Sequence, residues 1–240
     1  MRWYETASLA TAVLLSLVAL GGLVARRKVG VCRSFVPYLG AVALADLMTL
    51  GWAETFYQQW FWFAKELVIH VLRFGVALEL GYRTFRAFPS ARASVRALAL
   101  LILALTFGIV FAGAVDLEPV PGADALGPLI SRVQPRILNG TIWLLSGIAG
   151  LILWYRLPVH PWHKAILTGL VAYLLAFSTS LSWIESQGWG VREYANQLHT
   201  GAFLVMLCYW AVAAWRRAEE PVRSPESGSA PAASLNRAAG

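Results

Sequence analysis

Seven apolar runs, each close to 20 residues long, constrain the fold of this 240-residue chain more than any other feature. About 20 apolar residues are needed for a helix to cross a hydrocarbon core of ~30 Å. The runs are continuously apolar, whereas the strands of a membrane β-barrel would be ~10 residues long with alternating polarity. The sequence therefore predicts an all-α bundle of seven transmembrane helices. The runs occupy residues 6–25, 36–56, 61–82, 95–115, 137–155, 164–184 and 197–215.

The composition excludes an ordinary soluble domain. Hydrophobic residues make up 58% of the chain and charged residues only 14%, whereas a typical soluble domain has about 25% charged residues. The net charge of +7 does not indicate a nucleic-acid partner, because the basic residues form short clusters between apolar runs. The two cysteines, Cys32 and Cys208, lie in the first basic connection and in the last apolar run, so a disulfide framework is not expected. The lipid bilayer is the predicted environment.

The basic clusters also predict the orientation. Thirteen basic residues lie in the connections after the first, third, fifth and seventh runs, against five on the opposite side. Because Lys and Arg collect on the cytoplasmic side, the N-terminus is predicted outside and the C-terminus in the cytoplasm. Aromatic residues near both ends of the runs agree, and Tyr38 falls among those at the inner interface. Arginine far outnumbers lysine, as in GC-rich bacterial genomes, so we expect the inner membrane.

Two regions follow from these patterns. Residues 1–220 are predicted to form the integral membrane domain. Residues 221–240 are rich in Pro, Ser, Ala and Gly, and such a segment cannot bury enough apolar surface to offset the entropy of ordering. We expect this segment to be a disordered cytoplasmic tail, with no output domain after the last run.

The third apolar run carries most of the ionisable groups that would lie within the membrane. At 100° per residue, Glu66, His70 and Arg73 fall within about 60° of one another on one helix face. Such groups are costly in a bilayer unless they face protein or water, and they mark functional sites in many membrane proteins. Glu79 points to nearly the opposite side, where we expect it to pair with Arg83 one turn later.

Two more carboxylates belong to the second run. Asp46 lies near its middle, at the depth expected for Arg73, so the sequence predicts an Asp46–Arg73 ion pair. Glu54 lies closer to the depth of Glu66. An ion-pair network that only fixes helix packing remains an equal alternative to a functional site.

Polar residues in the outer half of other runs complete a candidate pocket that opens to the outside. The candidate ligand-binding residues are Glu66, His70, Arg73, Asp46, Glu54, Asn139 and His199. An ordinary polar rim is the alternative for each of these residues taken singly.

The histidine pattern does not indicate a cofactor. His70 and His199 differ in depth by several residues and lack the paired histidines of four-helix membrane cytochromes. His160 and His163 are separated by Pro161 and Trp162, which favours a basic turn over a metal site. The last run contains no lysine that could form the Schiff base of a retinal protein. We therefore expect no covalent cofactor and no metal.

One segment resembles sequences of small uncharacterised bacterial multi-pass membrane proteins. It begins with Lys65 and Glu66, includes Glu79, and ends in Tyr-Arg-Thr-Phe-Arg-Ala-Phe-Pro over 82–89. In general plan the chain also resembles the seven-helix sensory regions of bacterial histidine kinases. The resemblance covers the number of helices and the third run. It implies a sensor-like role in which a signal passes to a partner protein.

The favoured hypothesis is a ligand-sensing or accessory membrane module that acts through a signalling or membrane-protein partner. A membrane enzyme or haem electron carrier using His70 and Glu66 is the first alternative, and a scaffold without a small-molecule site is the second. Paired proton-transfer groups facing a cavity would favour the enzyme.

Overall fold

The computed structural model describes residues 3–86, 138–150, 152 and 159–217, and every regular element in these ranges is helical. Single turns of 3-10 helix occur at Val29–Val31 and Trp189–Val191. The expectation of an all-α fold is confirmed over these residues. The predicted run 95–115 and the tail 221–240 lie outside them. The helices are α1 Trp3–Ala25, α2 Phe35–Gly51, α3 Ala53–Phe56, α4 Gln59–Arg86, α5 138–150, α6 Pro161–Gln187 and α7 Arg192–Trp215.

Three of these helices are long and apolar enough to cross a membrane: α1, α6 as far as Ile184, and α7. Large apolar side chains on their outer faces are exposed, including Leu14 at 62% and Val205 at 70%. Exposed apolar surface of this extent is expected where a helix faces lipid, because lipid tails are as apolar as leucine. Length, composition and exposure together indicate membrane association.

The predicted second run, 36–56, does not form one helix. α2 ends at Gly51, and Trp52 leaves the helical region with φ −135° and ψ 59°. The four-residue helix α3 follows before α4 begins at Gln59. Hydropathy did not reveal this break, because residues 50–53 continue the apolar run across it.

The described helices pack in a ring. α1 lies between α2 and α7, α7 packs against α6, and α2 packs against α4. α5 approaches α4 through Ile148, whose Cδ1 lies 3.4 Å from the position that a Cβ on Gly81 would occupy. It approaches α6 through Asn139, whose Oδ1 accepts a hydrogen bond from Ser178 at 3.4 Å. Side chains on the inner faces of α2, α4, α6 and α7 therefore share one interior.

The tightest approach between α6 and α7 is at Gly169 and Trp210. A Cβ on Gly169 would overlap the indole nitrogen of Trp210, which donates a hydrogen bond to the carbonyl of Ala165 at 3.1 Å. The other side of Trp210 meets Phe35 edge to face, with ring centroids 4.8 Å apart. The absence of a side chain at Gly169 is what lets the fully buried indole lie against α6.

The connection after α1 begins with a residue in the left-handed region. Arg27 has φ 52°, and the N–H groups of Arg27 and Lys28 donate to Val24 and Leu23 at 3.1 and 2.8 Å. This pair of bonds is the helix-ending arrangement in which glycine is usual at the left-handed position. It turns the chain so that Lys28 points back into the protein, where it is 6% exposed.

The ammonium group of Lys28 caps the end of α7. It donates to the carbonyls of Ala213, Ala214 and Arg216 at 2.9, 3.0 and 2.6 Å. A cation at this position also complements the negative end of the helix dipole. Burial, and then the nearby charge of Arg26, lowers the pKa of Lys28. Lys28, one of the basic residues that predict the orientation, therefore also has a structural role.

Glu79 on α4 binds the connection between α1 and α2. Its carboxylate accepts hydrogen bonds from the backbone N–H of Arg33 at 3.0 Å and of Ser34 at 2.7 Å, and from the Ser34 hydroxyl at 2.6 Å. The predicted pair with Arg83 is confirmed at 2.6 Å. A carboxylate at the start of α2 is favourable because free N–H groups and the positive end of the dipole lie there.

Candidate functional site

A group of polar and aromatic side chains from four helices meets inside the ring, and we call it the central cluster. It is built on the face of α4 that presents Glu66, His70 and Arg73. The His70 imidazole lies between the other two, with Nε2 3.6 Å from a Glu66 carboxylate oxygen and Nδ1 3.4 Å from Arg73 Nη1. Helical spacing of four and three residues produces this order, as the sequence predicted. The central cluster comprises Tyr38, Glu66, His70, Arg73, Tyr173 and His199.

Arg73 lies between two tyrosine rings. Its guanidinium carbon is 5.9 Å from the ring centroid of Tyr38 on α2 and 5.4 Å from that of Tyr173 on α6. Arg73 is 3% exposed, so these contacts are shielded from solvent. Desolvated cation–π contacts contribute about 2 kcal/mol. The two rings therefore compensate part of the cost of burying the guanidinium.

His199 joins the cluster through Tyr173. Its Nε2 lies 2.8 Å from the Tyr173 hydroxyl, and its ring lies 4.4 Å from that of Phe177 at a 32° tilt. A tyrosine on α6 therefore links an imidazole on α7 to the guanidinium on α4. Through Tyr173 the cluster links Arg73 to His199, two residues that are more than 120 positions apart in the chain.

Several polar atoms of the cluster form no hydrogen bond with the residues that the structure describes. They are Arg73 Nε, His70 Nε2 and the Tyr38 hydroxyl, in side chains that are 3%, 6% and 0% exposed. Buried polar atoms are nearly always hydrogen-bonded, and leaving one unpaired costs about 1–3 kcal/mol. All three atoms belong to side chains of the central cluster, which suggests a place that accepts an additional polar group.

The predicted Asp46–Arg73 ion pair is wrong. Asp46 instead accepts a hydrogen bond from Lys65 at 2.6 Å, and the two side chains are 3% and 20% exposed. Among the residues that the structure describes, no carboxylate forms an ion pair with Arg73.

The break after Gly51 explains this difference. Asp46 lies five residues before the end of α2 and Lys65 six residues after the start of α4, which places both at depths of about 8–9 Å at 1.5 Å per residue. Arg73 lies about 21 Å from the start of α4, at the depth of Tyr38 on α2. The long stem of Lys65 lets its ammonium reach the buried carboxylate.

Two other candidate residues lie away from the central cluster. Glu54 is exposed on α3, and its backbone carbonyl accepts a hydrogen bond from the Gln58 side chain at 3.2 Å. Asn139 is exposed on α5 and contacts Ser178 at 3.4 Å. Of the seven candidates, the structure thus joins Glu66, His70, Arg73 and His199 and separates the other three. His70 and Arg73 are buried, so they do not line the outward-opening pocket that the sequence predicted. The cluster reaches the surface through Glu66, whose side chain is 17% exposed.

Tyr38 and Tyr173 are the cluster residues that sequence reasoning missed. The sequence predicts Tyr38 at the inner membrane interface, yet the side chain is fully buried. A usable signal was present, because an arginine within an apolar run needs partners at its own depth and tyrosine supplies both a ring and a hydroxyl.

The cluster does not suit a cationic metal. His70 Nδ1 faces a guanidinium, and His199 Nε2 is engaged by the Tyr173 hydroxyl. In the part of the chain that the structure describes, no three His, Cys, Asp or Glu side chains gather as metal ligands would. The Arg73 guanidinium, with hydroxyl and imidazole groups beside it, instead suits an anionic or polar group, although the cluster also contains the Glu66 carboxylate.

Comparison with protein-family models, with curated proteins and with solved structures finds no match for this chain.

Proposed function

We propose that the protein is a seven-helix, multi-pass inner-membrane module that senses a small anionic ligand at the central cluster and signals through a partner protein. The N-terminus lies outside and the C-terminus in the cytoplasm in this proposal. The three helices able to cross a membrane and the excess of basic residues on one side support this placement.

The observation that carries the sensing role is the state of Arg73. Its side chain is 3% exposed, and among the described residues it has no carboxylate ion-pair partner and its Nε has no hydrogen-bond acceptor. A charged group within a membrane bundle costs at least ~2.5–3.5 kcal/mol unless it is compensated. An anionic ligand supplies both the opposite charge and the missing hydrogen-bond acceptor.

Transmission follows from the position of the cluster on α4. Arg73 and Glu79 are six residues apart on this helix, a separation of about 9 Å. Glu79 holds the start of α2 and the connection after α1. If α4 can take two placements in the bundle, a ligand that binds one placement more tightly increases the population of that placement. Glu79 moves with α4 and so transmits the change to the side where a cytoplasmic partner would bind.

The test measures the thermal unfolding midpoint of the purified protein in detergent micelles with acetate, succinate or phosphate at constant ionic strength. At least one of these anions should raise the midpoint of the wild type by several degrees, because a ligand that binds the folded state stabilises it. Arg73→Gln should abolish the response. Tyr173→Phe keeps the ring, removes the hydroxyl and should reduce the response.

Arg33→Gln serves as the matched control, since it removes an exposed arginine outside the cluster and should leave the response intact. A wild type that responds to none of the three anions, or an Arg73→Gln variant that responds as the wild type does, would exclude the sensing role.

A further inference from the structure

An apolar groove runs between α6 and α7 on the outer surface of the bundle. Its volume is about 360 Å³, and its walls include Thr168, Ala172, Ala202, Val205, Met206 and Tyr209. An apolar cavity of about 150 Å³ already binds a benzene molecule. The groove is therefore large enough for an extended apolar chain.

Both walls of the groove belong to helices that are long and apolar enough to cross a membrane. The rim is open to the surroundings, since Val205 is 70% exposed and Tyr209 is 43% exposed. Short side chains at Ala172 and Ala202 leave the space free, while the close contact of Gly169 with Trp210 keeps the two helices together beside it. Hydrocarbon surrounds this groove when the helices span a bilayer.

Two basic residues mark one end of the groove. Lys164 precedes Thr168 by four residues and so lies on the same face of α6, one turn nearer the start of the helix. Arg216 follows Tyr209 by seven residues and lies two turns further along the same face, just after α7 ends. Because α6 begins where α7 ends, both residues fall at the same end of the pair. Both side chains are exposed, and neither forms an ion pair with a described carboxylate.

We propose that this groove binds one anionic phospholipid, with an acyl chain along α6 and α7 and the headgroup phosphate at Lys164 and Arg216. The apolar walls match the chain, and the two cations match the phosphate. Basic residues at this depth strengthen binding to anionic lipid, whereas a zwitterionic headgroup gains little from them. The site is separate from the central cluster, although Tyr173 lies at the floor of the groove and in the cluster.

Native mass spectrometry of the full chain, exchanged into mixed micelles with equal amounts of phosphatidylglycerol and phosphatidylcholine of identical chains, provides the test. The wild type should retain phosphatidylglycerol preferentially as a single bound molecule. The double variant Lys164→Gln/Arg216→Gln should lower that retention roughly tenfold, because each basic residue near an anionic lipid strengthens binding several-fold. Arg33→Gln, which removes a charge away from the groove, should retain the lipid as the wild type does.

A second pair of variants tests the groove itself. Ala172→Leu fills it from an exposed position, so the fold should survive, and bound lipid of either headgroup should be lost. Ala10→Leu adds the same volume at an exposed position on α1 and should have no effect. Equal retention of both lipids by the wild type, or undiminished phosphatidylglycerol in the double variant or in Ala172→Leu, would refute the proposal. Loss of a dimer in Ala172→Leu with unchanged lipid would also refute it and would identify a second copy of the chain as the occupant.

Discussion

The carboxylate of Glu79 accepts hydrogen bonds from both the backbone N–H and the hydroxyl of Ser34, a residue 45 positions earlier in the chain. One side chain of α4 therefore holds the first turn of α2 in place. The same carboxylate binds Arg83, so it satisfies donors from its own helix and from the connection at once.

Glu79→Gln should lower the free energy of unfolding by about 2 kcal/mol, because hydrogen bonds to a charged acceptor contribute about 1.5–3 kcal/mol and the amide removes the charge. The shift in denaturation midpoint in micelles measures the effect. Glu54→Gln makes the same change at an exposed position and should be neutral. Equal stability of the two variants would mean that the contacts of Glu79 are not stabilising.

Asp46 and Lys65 should show a coupling energy of about 1–3 kcal/mol in a double-mutant cycle, since they form a close and largely buried pair. Asp46→Asn and Lys65→Gln should each destabilise the fold, and the double variant should lose less than the sum of the two. A parallel cycle of Asp46→Asn with Arg73→Gln should be close to additive. Strong coupling in the second cycle and none in the first would favour the Asp46–Arg73 ion pair that was predicted from positions along the apolar runs.

Gly169→Ala should destabilise the α6–α7 contact by about 1–3 kcal/mol, the usual cost of inserting a methyl group into a packed site. The new Cβ would displace the Trp210 indole and break its bond to Ala165. Gly147→Ala on α5 is the matched control, because a Cβ there meets nothing within 4 Å. It should be neutral or slightly stabilising, since alanine favours a helix. Similar thermal midpoints for the two variants would contradict the close approach.

Cys32 should resist alkylation at alkaline pH. Burial, and then the charge of Glu79, raises the pKa of the thiol to about 12, and its side chain is 1% exposed. In a Cys208→Ser background, N-ethylmaleimide should leave the folded protein unmodified at pH 9 and modify it rapidly in denaturant. Fast labelling of the folded protein at pH 9 would show that Cys32 is ionised and accessible.

The same raised pKa makes Cys32 a source of pH-dependent stability. Below about pH 9 the thiol is protonated in both the folded and the unfolded chain, so its stabilising contribution is complete. Above that pH only the unfolded chain ionises, and the contribution is lost as pH rises towards 12. Cys32→Ala should weaken this decline in thermal stability.

Local patterns in the sequence predicted the helices and one face of the cluster well. Glu66, His70 and Arg73 meet as helical spacing requires, and Glu79 binds Arg83 because the two are one turn apart. The bounds of α1, α6 and α7 agree with the apolar runs within a few residues, since helix length follows from the length of the run.

Contacts between helices were harder to predict, because they depend on where each helix ends. The break at Trp52 shifts α2 relative to the assumed run, and this shift pairs Asp46 with Lys65 and places Tyr38 beside Arg73. Nothing in the sequence near Glu79 indicates Ser34 as its partner. The count of seven helices and the orientation remain predictions.

The cap that Lys28 places on α7 has a consequence for the order of assembly during synthesis. The carbonyls that it binds belong to residues 185 to 188 positions later in the chain. At about 5–20 residues per second, a ribosome needs roughly 10–40 s to make that stretch. Throughout this interval the ammonium of Lys28 lacks the three carbonyls that it binds in the folded chain, and only water can solvate it. The docking of α7 supplies these acceptors, so the contact that ties the end of α1 to the end of α7 can form only after Arg216 has been made.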